Sequence, residues 1–254
     1  YEELDFISDV IRSHPKNYQV WQHRRCVVDQ LKNASQELLF TQQIIKRDSK
    51  NYHAWQYRQW VIKTFDLWQD EIAYINELLA QDLRNNSAWN QRYFHLSNRN
   101  DLTRPESLNV LNDEINWCLD KIELCVDNES AWNYLRALVN NFNYANNTNA
   151  NYPSQVVEYC ENKLKNASKD DEFSPFLISF LIDYYLLKAK ELKNQLNSPT
   201  NEPKNKEELK SSVRNYMNIS IEWLEKLGSK YDTIRVNYWN YLISKWKEQF
   251  SEYI

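Results

Sequence analysis

Lys50-Asn51-Tyr52-His53-Ala54-Trp55-Gln56-Tyr57-Arg58-Gln59-Trp60 is the stretch from which the fold can be inferred, because copies of it recur along the chain. Trp21, Trp55 and Trp89 mark three copies at a constant interval of 34 residues. A fourth copy surrounds Trp132 after an insertion, and a degenerate fifth surrounds Trp239. A constant period of this length is typical of proteins built from stacked helix pairs.

The residues that frame each Trp favour a structural role. Asn stands four residues before it, at Asn17, Asn51, Asn85 and Asn128. Asn is a preferred N-cap, because its side chain accepts a hydrogen bond from a free backbone N–H of the first helical turn. Arg stands three residues after it in the first three copies, at Arg24, Arg58 and Arg92. Residues that recur in every repeat hold repeats together, so we interpret these as scaffold rather than catalytic groups.

A second helix precedes each Asn-capped helix, with apolar residues on one face. These helices are predicted at 2–13, 36–47, 70–81 and 113–124. Later helices are predicted at 154–166, 175–193, 206–227 and 233–249, separated by polar insertions at 145–153 and 196–205. The predicted fold is therefore all-α, a right-handed, crescent-shaped solenoid of antiparallel helix pairs similar to tetratricopeptide repeats.

The repeats predict a single helical-repeat domain over 1–254. Its copies lie near 2–34, 36–68, 70–102 and 113–144, and less regular pairs follow over 154–249. The first predicted helix has no Asn-capped helix before it and would expose its apolar face. We therefore expect that an N-terminal repeat is missing, or that another structure covers this end.

Composition excludes several classes of protein. One Gly and six Pro are too few for the turns of a β protein. A net charge of −4 argues against a general nucleic-acid binder. The four cysteines show no CxxC pair, so we expect reduced, mostly buried thiols in a cytoplasmic protein. The longest apolar stretch, from Phe176 to Leu187, is too short to span a bilayer.

The Asn-capped helices should place their N-termini in a row, where free N–H groups and helix dipoles favour an anion. Each of the first three caps follows a cation, and the surrounding positions carry hydroxyl, amide and imidazole groups. The candidate residues are Lys16, Lys50, Arg84, Tyr18, Gln19, Tyr52 and His53. They could bind a phosphate, a diphosphate or a carboxylate, or they could form a solvated charged rim. No metal-ligand spacing and no catalytic triad is legible in the chain.

The three stretches 16–25, 50–60 and 84–92 resemble the repeat of protein prenyltransferase α subunits. Residues 128–135 and 231–235 continue the likeness in the same order, so it spans nearly the whole chain. The resemblance is strongest to the α subunits shared by protein farnesyltransferase and protein geranylgeranyltransferase type I. One departure is Leu135, which replaces the usual Arg of the fourth copy, and the insertions near 145–152 and 196–205 are others.

This resemblance implies a helical crescent wrapped around a β subunit, which holds the catalytic zinc. It implies transfer of a farnesyl or geranylgeranyl group from its diphosphate, accompanied by magnesium, to the cysteine of a C-terminal CaaX sequence. Lys16, Tyr52 and His53 then match the residues that contact the diphosphate, and Gln19 matches the residue that receives the peptide carboxylate. Tyr18 and Asn51 match residues that line the same place.

Two alternatives carry different expectations. The α subunit of Rab geranylgeranyltransferase diverges in the Lys-Asn-Tyr-Gln stretch and often carries extra domains, and neither departure is visible in this chain. A non-enzymatic helical-repeat scaffold that binds peptides would support no prenylation with any β subunit.

Overall fold

The computed structural model describes residues 2–147, 152–166, 173–196 and 203–253. Helices account for the ordered structure of these residues, and no strand occurs among them. The chain divides into two compact units, residues 1–101 and residues 102–254. In the described part of the chain, no helix is both long enough and apolar enough to traverse a lipid bilayer.

Unit 1 contains three helix pairs joined by short turns. Its helices are α1 (Glu2–Ser13), α2 (Tyr18–Leu31), α3 (Glu37–Arg47), α4 (Tyr52–Phe65), α5 (Glu71–Gln81) and α6 (Asn86–Arg99). Each helix packs on the other member of its pair, and α4 also packs on both α2 and α6. The predicted helix pairs of this unit and the side-by-side packing of its capped helices α2, α4 and α6 are therefore confirmed.

Unit 2 begins with a 3₁₀ turn at Pro105–Ser107 and continues the helix pairs. Its helices are α7 (Leu108–Leu124), α8 (Glu129–Ala145), α9 (Ser154–Asn166), α10 (Pro175–Leu196), α11 (Pro203–Lys226) and α12 (Val236–Gln249). Helix α7 starts five residues before the predicted position 113, because the buried Leu111 extends by one turn the apolar stripe that continues with Ile115. The polar segments 148–151 and 197–202 lie outside the described residues.

The C-terminal part of unit 2 has its own apolar core. Helices α10, α11 and α12 surround Met217, Leu224, Trp239 and Phe250, all of which are buried. Trp239 marks the degenerate fifth copy, and its helix has no Asn cap. Its indole nitrogen instead donates to Asp232, at 3.2 Å to the carbonyl and 3.0 Å to the carboxylate. The fifth copy therefore keeps the buried Trp and its indole hydrogen bond, although it has no Asn cap.

The four Asn residues are N-caps, as the sequence predicted. The side-chain oxygen of Asn17 accepts from the N–H of Gln19 at 3.1 Å, and Asn51 accepts from Ala54 at 3.1 Å. Asn85 and Asn128 cap α6 and α8 in the same way. The cap and the buried Trp one turn inside the helix together fix where each capped helix begins.

Tryptophan and asparagine also bind the turn that precedes them. In each of the first four copies the indole nitrogen donates to the carbonyl six residues earlier, at 2.7–2.9 Å. The carbonyl of Pro15 accepts from Trp21 at 2.8 Å and also from the side-chain amide of Asn51 at 3.1 Å. This shared acceptor joins the start of α2 to the start of α4.

We expect Asn51→Ala to destabilise the chain more than Asn17→Ala. Asn51 is buried and makes both the cap and the bond to Pro15, whereas Asn17 is exposed. Losing a cap costs about 1 kcal/mol, and losing the second hydrogen bond, to the carbonyl of Pro15, costs about 1 kcal/mol more. Urea unfolding at one fixed chain concentration should give losses of about 2 and about 1 kcal/mol, respectively. Equal losses would contradict a stabilising role for the bond to Pro15.

The Arg residues form buried ion pairs between successive helix pairs, which we call the ion-pair layer (Arg24–Glu37 and Arg58–Glu71). Arg24 donates from two nitrogens to Glu37, at 2.7 and 2.9 Å, and Arg58 contacts Glu71 at 2.6–3.1 Å. All four side chains are nearly inaccessible to solvent. Since the arginine lies in the middle of a capped helix and the glutamate at the start of the following helix, each pair ties α2 to α3 or α4 to α5.

Each buried carboxylate also accepts from the next capped helix. Tyr57 donates its hydroxyl to Glu37 at 2.7 Å, and Gln91 donates its amide to Glu71 at 2.7 Å. Burial, together with the charge of Glu37, raises the pKa of Tyr57 far above the ordinary value, so its hydroxyl stays a donor. The structural interpretation of Arg24 and Arg58 is therefore confirmed by their geometry.

Candidate functional site

The candidate site lies in unit 1, where the N-termini of α2 and α4 meet. We call it the amino-terminal edge and define it as residues 16–19 and 48–53. The bond from Asn51 to the carbonyl of Pro15 brings the two helix starts together. The first turns of both helices therefore share one edge, with their unpaired N–H groups and the positive ends of their dipoles.

Three aromatic side chains of the predicted site converge at this edge. The ring centroids of Tyr18 and His53 lie 6.2 Å apart, although these residues belong to different helices. Tyr52 meets His53 edge to face, at 5.6 Å between centroids. Tyr18 and Tyr52 are 59% and 68% exposed, and His53 is half-buried between them. Two phenol groups and an imidazole are therefore accessible to a ligand from solvent.

Lys16 lies at the same edge and contacts a carboxylate. Its Nζ is 3.6 Å from Oδ2 of Asp48, and the side chains are 78% and 38% exposed. Lys50, at the same position of the next repeat, is also exposed. The edge thus carries two accessible ammonium groups and one partly exposed carboxylate, and Lys16 is a charged donor that an anion could recruit.

Gln19 and Asn51 differ sharply in accessibility. The side chain of Gln19 is exposed in the first turn of α2, one residue after Tyr18. Asn51 is 2% exposed, and its oxygen and nitrogen bind the N–H of Ala54 and the carbonyl of Pro15. The structure therefore leaves Gln19 free to meet a ligand and makes Asn51 part of the support beneath the edge.

Arg84 occupies the third repeat position, before the cap of α6. Its backbone N–H donates to the carboxylate of Asp82 at 2.9 Å, as the N–H of Lys50 does to Asp48 at 3.1 Å. Both turns have the same form, with Asp three residues before the capping Asn. A role for these aspartates was not predicted, although their spacing to the capping Asn recurs in two copies of the repeat.

Outside this edge, the reactive groups of the described residues suggest no second centre. Among residues 2–147, 152–166, 173–196 and 203–253, no cluster of His, Cys, Asp or Glu could hold a metal ion. All four cysteines are free thiols. Cys118 and Cys160 are buried and Cys125 is partly buried, whereas Cys26 is exposed and departs from the expectation of buried thiols. Burial raises the pKa of Cys160 to about 12, which keeps this thiol protonated and unreactive.

Comparison with known proteins decides the family. The model of the protein prenyltransferase alpha subunit repeat matches residues 1–31, 34–65, 68–96 and 111–142. The chain is 30% identical over 254 residues to the protein farnesyltransferase/geranylgeranyltransferase type-1 subunit alpha of Candida albicans. This alignment covers 96% of the chain and 71% of the relative. The chain belongs to the protein prenyltransferase α-subunit family.

A solved structure supports membership of the α-subunit family. The chain matches a chain of Candida albicans protein geranylgeranyltransferase-I complexed with GGPP, with a TM-score of 0.74 and 29% identity. This match covers 96% of the present chain and 72% of the other. The matched repeat segments of the prenyltransferase α-subunit model coincide with the four helix pairs from α1/α2 to α7/α8. The resemblance deduced from the repeated stretches is confirmed at the level of the family.

Proposed function

We propose that this chain is the α subunit of a heterodimeric protein prenyltransferase of the farnesyl/geranylgeranyl type I class. The complex would transfer a farnesyl or geranylgeranyl group from its diphosphate to the cysteine of a protein with a C-terminal CaaX sequence. The observation that carries this proposal is that Tyr18, Tyr52 and His53 meet at the amino-terminal edge, where Lys16 contacts Asp48. Membership of the family supports it.

The chemistry of the edge suits a diphosphate leaving group. When the carbon–oxygen bond to the diphosphate breaks, negative charge accumulates on the departing oxygens. Lys16, Tyr52 and His53 can each donate a hydrogen bond, and the N-termini of α2 and α4 add a positive field. Donors that are already in place lower the barrier, by about 3 kcal/mol for a strong one. We assign these three residues to stabilisation of the leaving group.

The other predicted residues would serve the acceptor substrate and the framework. Gln19 is exposed and can donate its amide to the terminal carboxylate of the CaaX peptide, with Tyr18 beside it. Asn51 would position Tyr52 and His53 by capping α4. We further propose that one helical-repeat domain spans 1–254 and that it binds the β subunit.

The metals of the reaction do not fit the described residues of this chain, because these residues contain no cluster of potential ligands. We therefore propose that zinc is bound by the β subunit and that magnesium enters with the diphosphate. Zinc, when bound there, would supply an activated thiolate of the substrate cysteine. We also propose that the complex acts in the cytoplasm, where the cysteines remain reduced.

Co-expression with β subunits tests the proposal. The chain is produced with the β subunit of a farnesyltransferase, of a type I geranylgeranyltransferase and of a Rab geranylgeranyltransferase, in separate preparations. Each complex is assayed with both lipid diphosphates and with a CaaX peptide or a Rab substrate. Transfer to the CaaX peptide supports the proposal. Transfer to the Rab substrate alone supports the Rab enzyme, and a complete lack of transfer supports a non-enzymatic scaffold.

We expect the chain to self-associate when it is produced without a β subunit. Large apolar side chains such as Tyr18, Tyr52 and Leu39 are more than half exposed, and such surfaces associate when nothing covers them. Light scattering should show polydisperse material for the chain alone and a single species for the heterodimer. A stable, monodisperse monomer would count against an obligate partner.

A further inference from the structure

The carboxylate of Asp48 is held rigidly by the turn between α3 and α4. Its backbone N–H donates to the carbonyl of Ile44 at 3.0 Å, and its own carbonyl accepts from the N–H of Asn51 at 3.0 Å. Oδ1 accepts from the N–H of Lys50 at 3.1 Å. Two hydrogen bonds therefore fix the backbone of Asp48 and one fixes its side chain, whose other oxygen, Oδ2, faces Lys16.

The contact with Asp48 restrains Lys16 without trapping it. A lysine side chain has large rotamer freedom, and placing its charge at one point costs entropy. The distance of 3.6 Å and exposures of 78% and 38% describe a weak ion pair, which an incoming anion can replace. Asp48 also belongs to the turn that leads into Tyr52 and His53. The ion pair therefore places the ammonium of Lys16, from one repeat, close to the start of the helix that carries the donors of the next repeat.

The next repeat provides an internal comparison. Asp82 builds the same turn, because its carboxylate accepts from the N–H of Arg84 at 2.9 Å and its carbonyl accepts from Asn85 at 3.0 Å. Lys50 occupies the position relative to Asp82 that Lys16 occupies relative to Asp48, yet it forms no ion pair with a described residue. The turn itself therefore does not require the lysine contact, which is specific to Asp48.

We propose that Asp48 is a positioning residue that holds the Lys16 ammonium at the amino-terminal edge until the diphosphate replaces the carboxylate as its partner. This inference rests on the function proposed above. Asp48 acts through Lys16 and does not itself touch the reacting atoms. Its effect on the reaction should therefore depend on the presence of Lys16.

The test is the single-turnover rate of prenyl transfer by the heterodimer with Asp48→Asn. Asparagine keeps the acceptor for Lys50 and the size of the side chain but removes the charge. We expect the rate to fall about five-fold, which corresponds to about 1 kcal/mol. Asp82→Asn is the matched control, since it makes the same change in the same kind of turn, and its rate should equal that of the wild type.

The double variant Lys16→Ala/Asp48→Asn separates positioning from a structural effect. Its rate should equal that of Lys16→Ala alone, because Asp48 has nothing to position once the lysine is gone. An unchanged or faster rate for Asp48→Asn, an equal loss for Asp82→Asn, or a further loss in the double variant would each overturn the inference. If Lys16→Ala slows transfer and Asp48→Asn does not, the inference fails while the proposed function stands. A wild-type complex that transfers no lipid would contradict both.

Discussion

Replacing Lys16 by Ala is expected to slow single-turnover prenyl transfer by the heterodimer about 100-fold. The ammonium lies at the edge where Tyr52 and His53 also present donors, and loss of one strong donor to a developing anion has an effect of this size. The heterodimer itself should remain intact, because the side chain is 78% exposed and its ion pair with Asp48 contributes little stability.

The control for Lys16 is Lys63→Ala, at the opposite end of α4. This variant removes one exposed lysine charge from the same unit but far along the helix from its N-terminus. Rapid-quench measurements with enzyme in excess should show a near wild-type rate for Lys63→Ala and a large loss for Lys16→Ala. Similar rates for the two variants would remove Lys16 from the mechanism and leave the family membership untouched.

Glu71→Ala is expected to reduce the free energy of unfolding by about 3–5 kcal/mol. The change leaves the guanidinium of Arg58 buried without its carboxylate, and an uncompensated buried charge has this cost. The amide of Gln91 loses its acceptor at the same time. Because Glu71 binds both α4 and α6, we expect the loss to affect two neighbouring helix pairs.

Glu77→Ala is the matched control, since Glu77 lies on the same helix α5 but is exposed. Surface substitutions of this kind usually change stability by less than about 0.5 kcal/mol. Urea unfolding at one fixed concentration of each variant provides the comparison. A loss below about 1 kcal/mol for Glu71→Ala would mean that Arg58 finds another partner, and that the ion-pair layer does not hold the repeats together.

The sequence was sufficient to predict the helix pairs, because the signals for them are local. An Asn cap and a Trp one turn later define where each capped helix begins, and they recur at a constant interval. The predicted starts at Asn17, Asn51, Asn85 and Asn128 all agree with the structure. The start of α7 was predicted too late, since its first turn lies in an insertion for which no other copy offers a comparison.

The partners of the buried arginines were not predicted, because the contact depends on packing. Glu37 and Glu71 stand 13 residues after Arg24 and Arg58, but only the fold shows that the intervening turn brings them together. The same applies to Asp48 and Lys16, which are distant in sequence. In both cases a carboxylate of a residue type common on protein surfaces contacts a cationic side chain of the neighbouring repeat.

The candidate site was predicted as a set of residues, and the structure shows which of them meet. Tyr18, Tyr52 and His53 share an edge with Lys16, whereas Asn51 lies buried beneath it. Their chemical roles stay predictions, because a leaving diphosphate and a peptide carboxylate would be contacted jointly with another subunit. The aromatic contact between α2 and α4 could be anticipated only from the nearness of both residues to their caps, because Tyr18 stands one residue after Asn17 and His53 two residues after Asn51.

The ion-pair layer has a consequence for how such a gene can lengthen or shorten. Each buried acid accepts hydrogen bonds from the capped helix of the repeat before it and from the capped helix of its own repeat, as Glu37 does from Arg24 and Tyr57. Duplication of an entire 34-residue period would copy donors and acceptor together and keep every charge neutralised. A deletion that ended inside a period would leave a buried donor or a buried carboxylate without its partner. Selection should therefore favour the gain or loss of whole periods, and it should confine extra residues to the connecting loops.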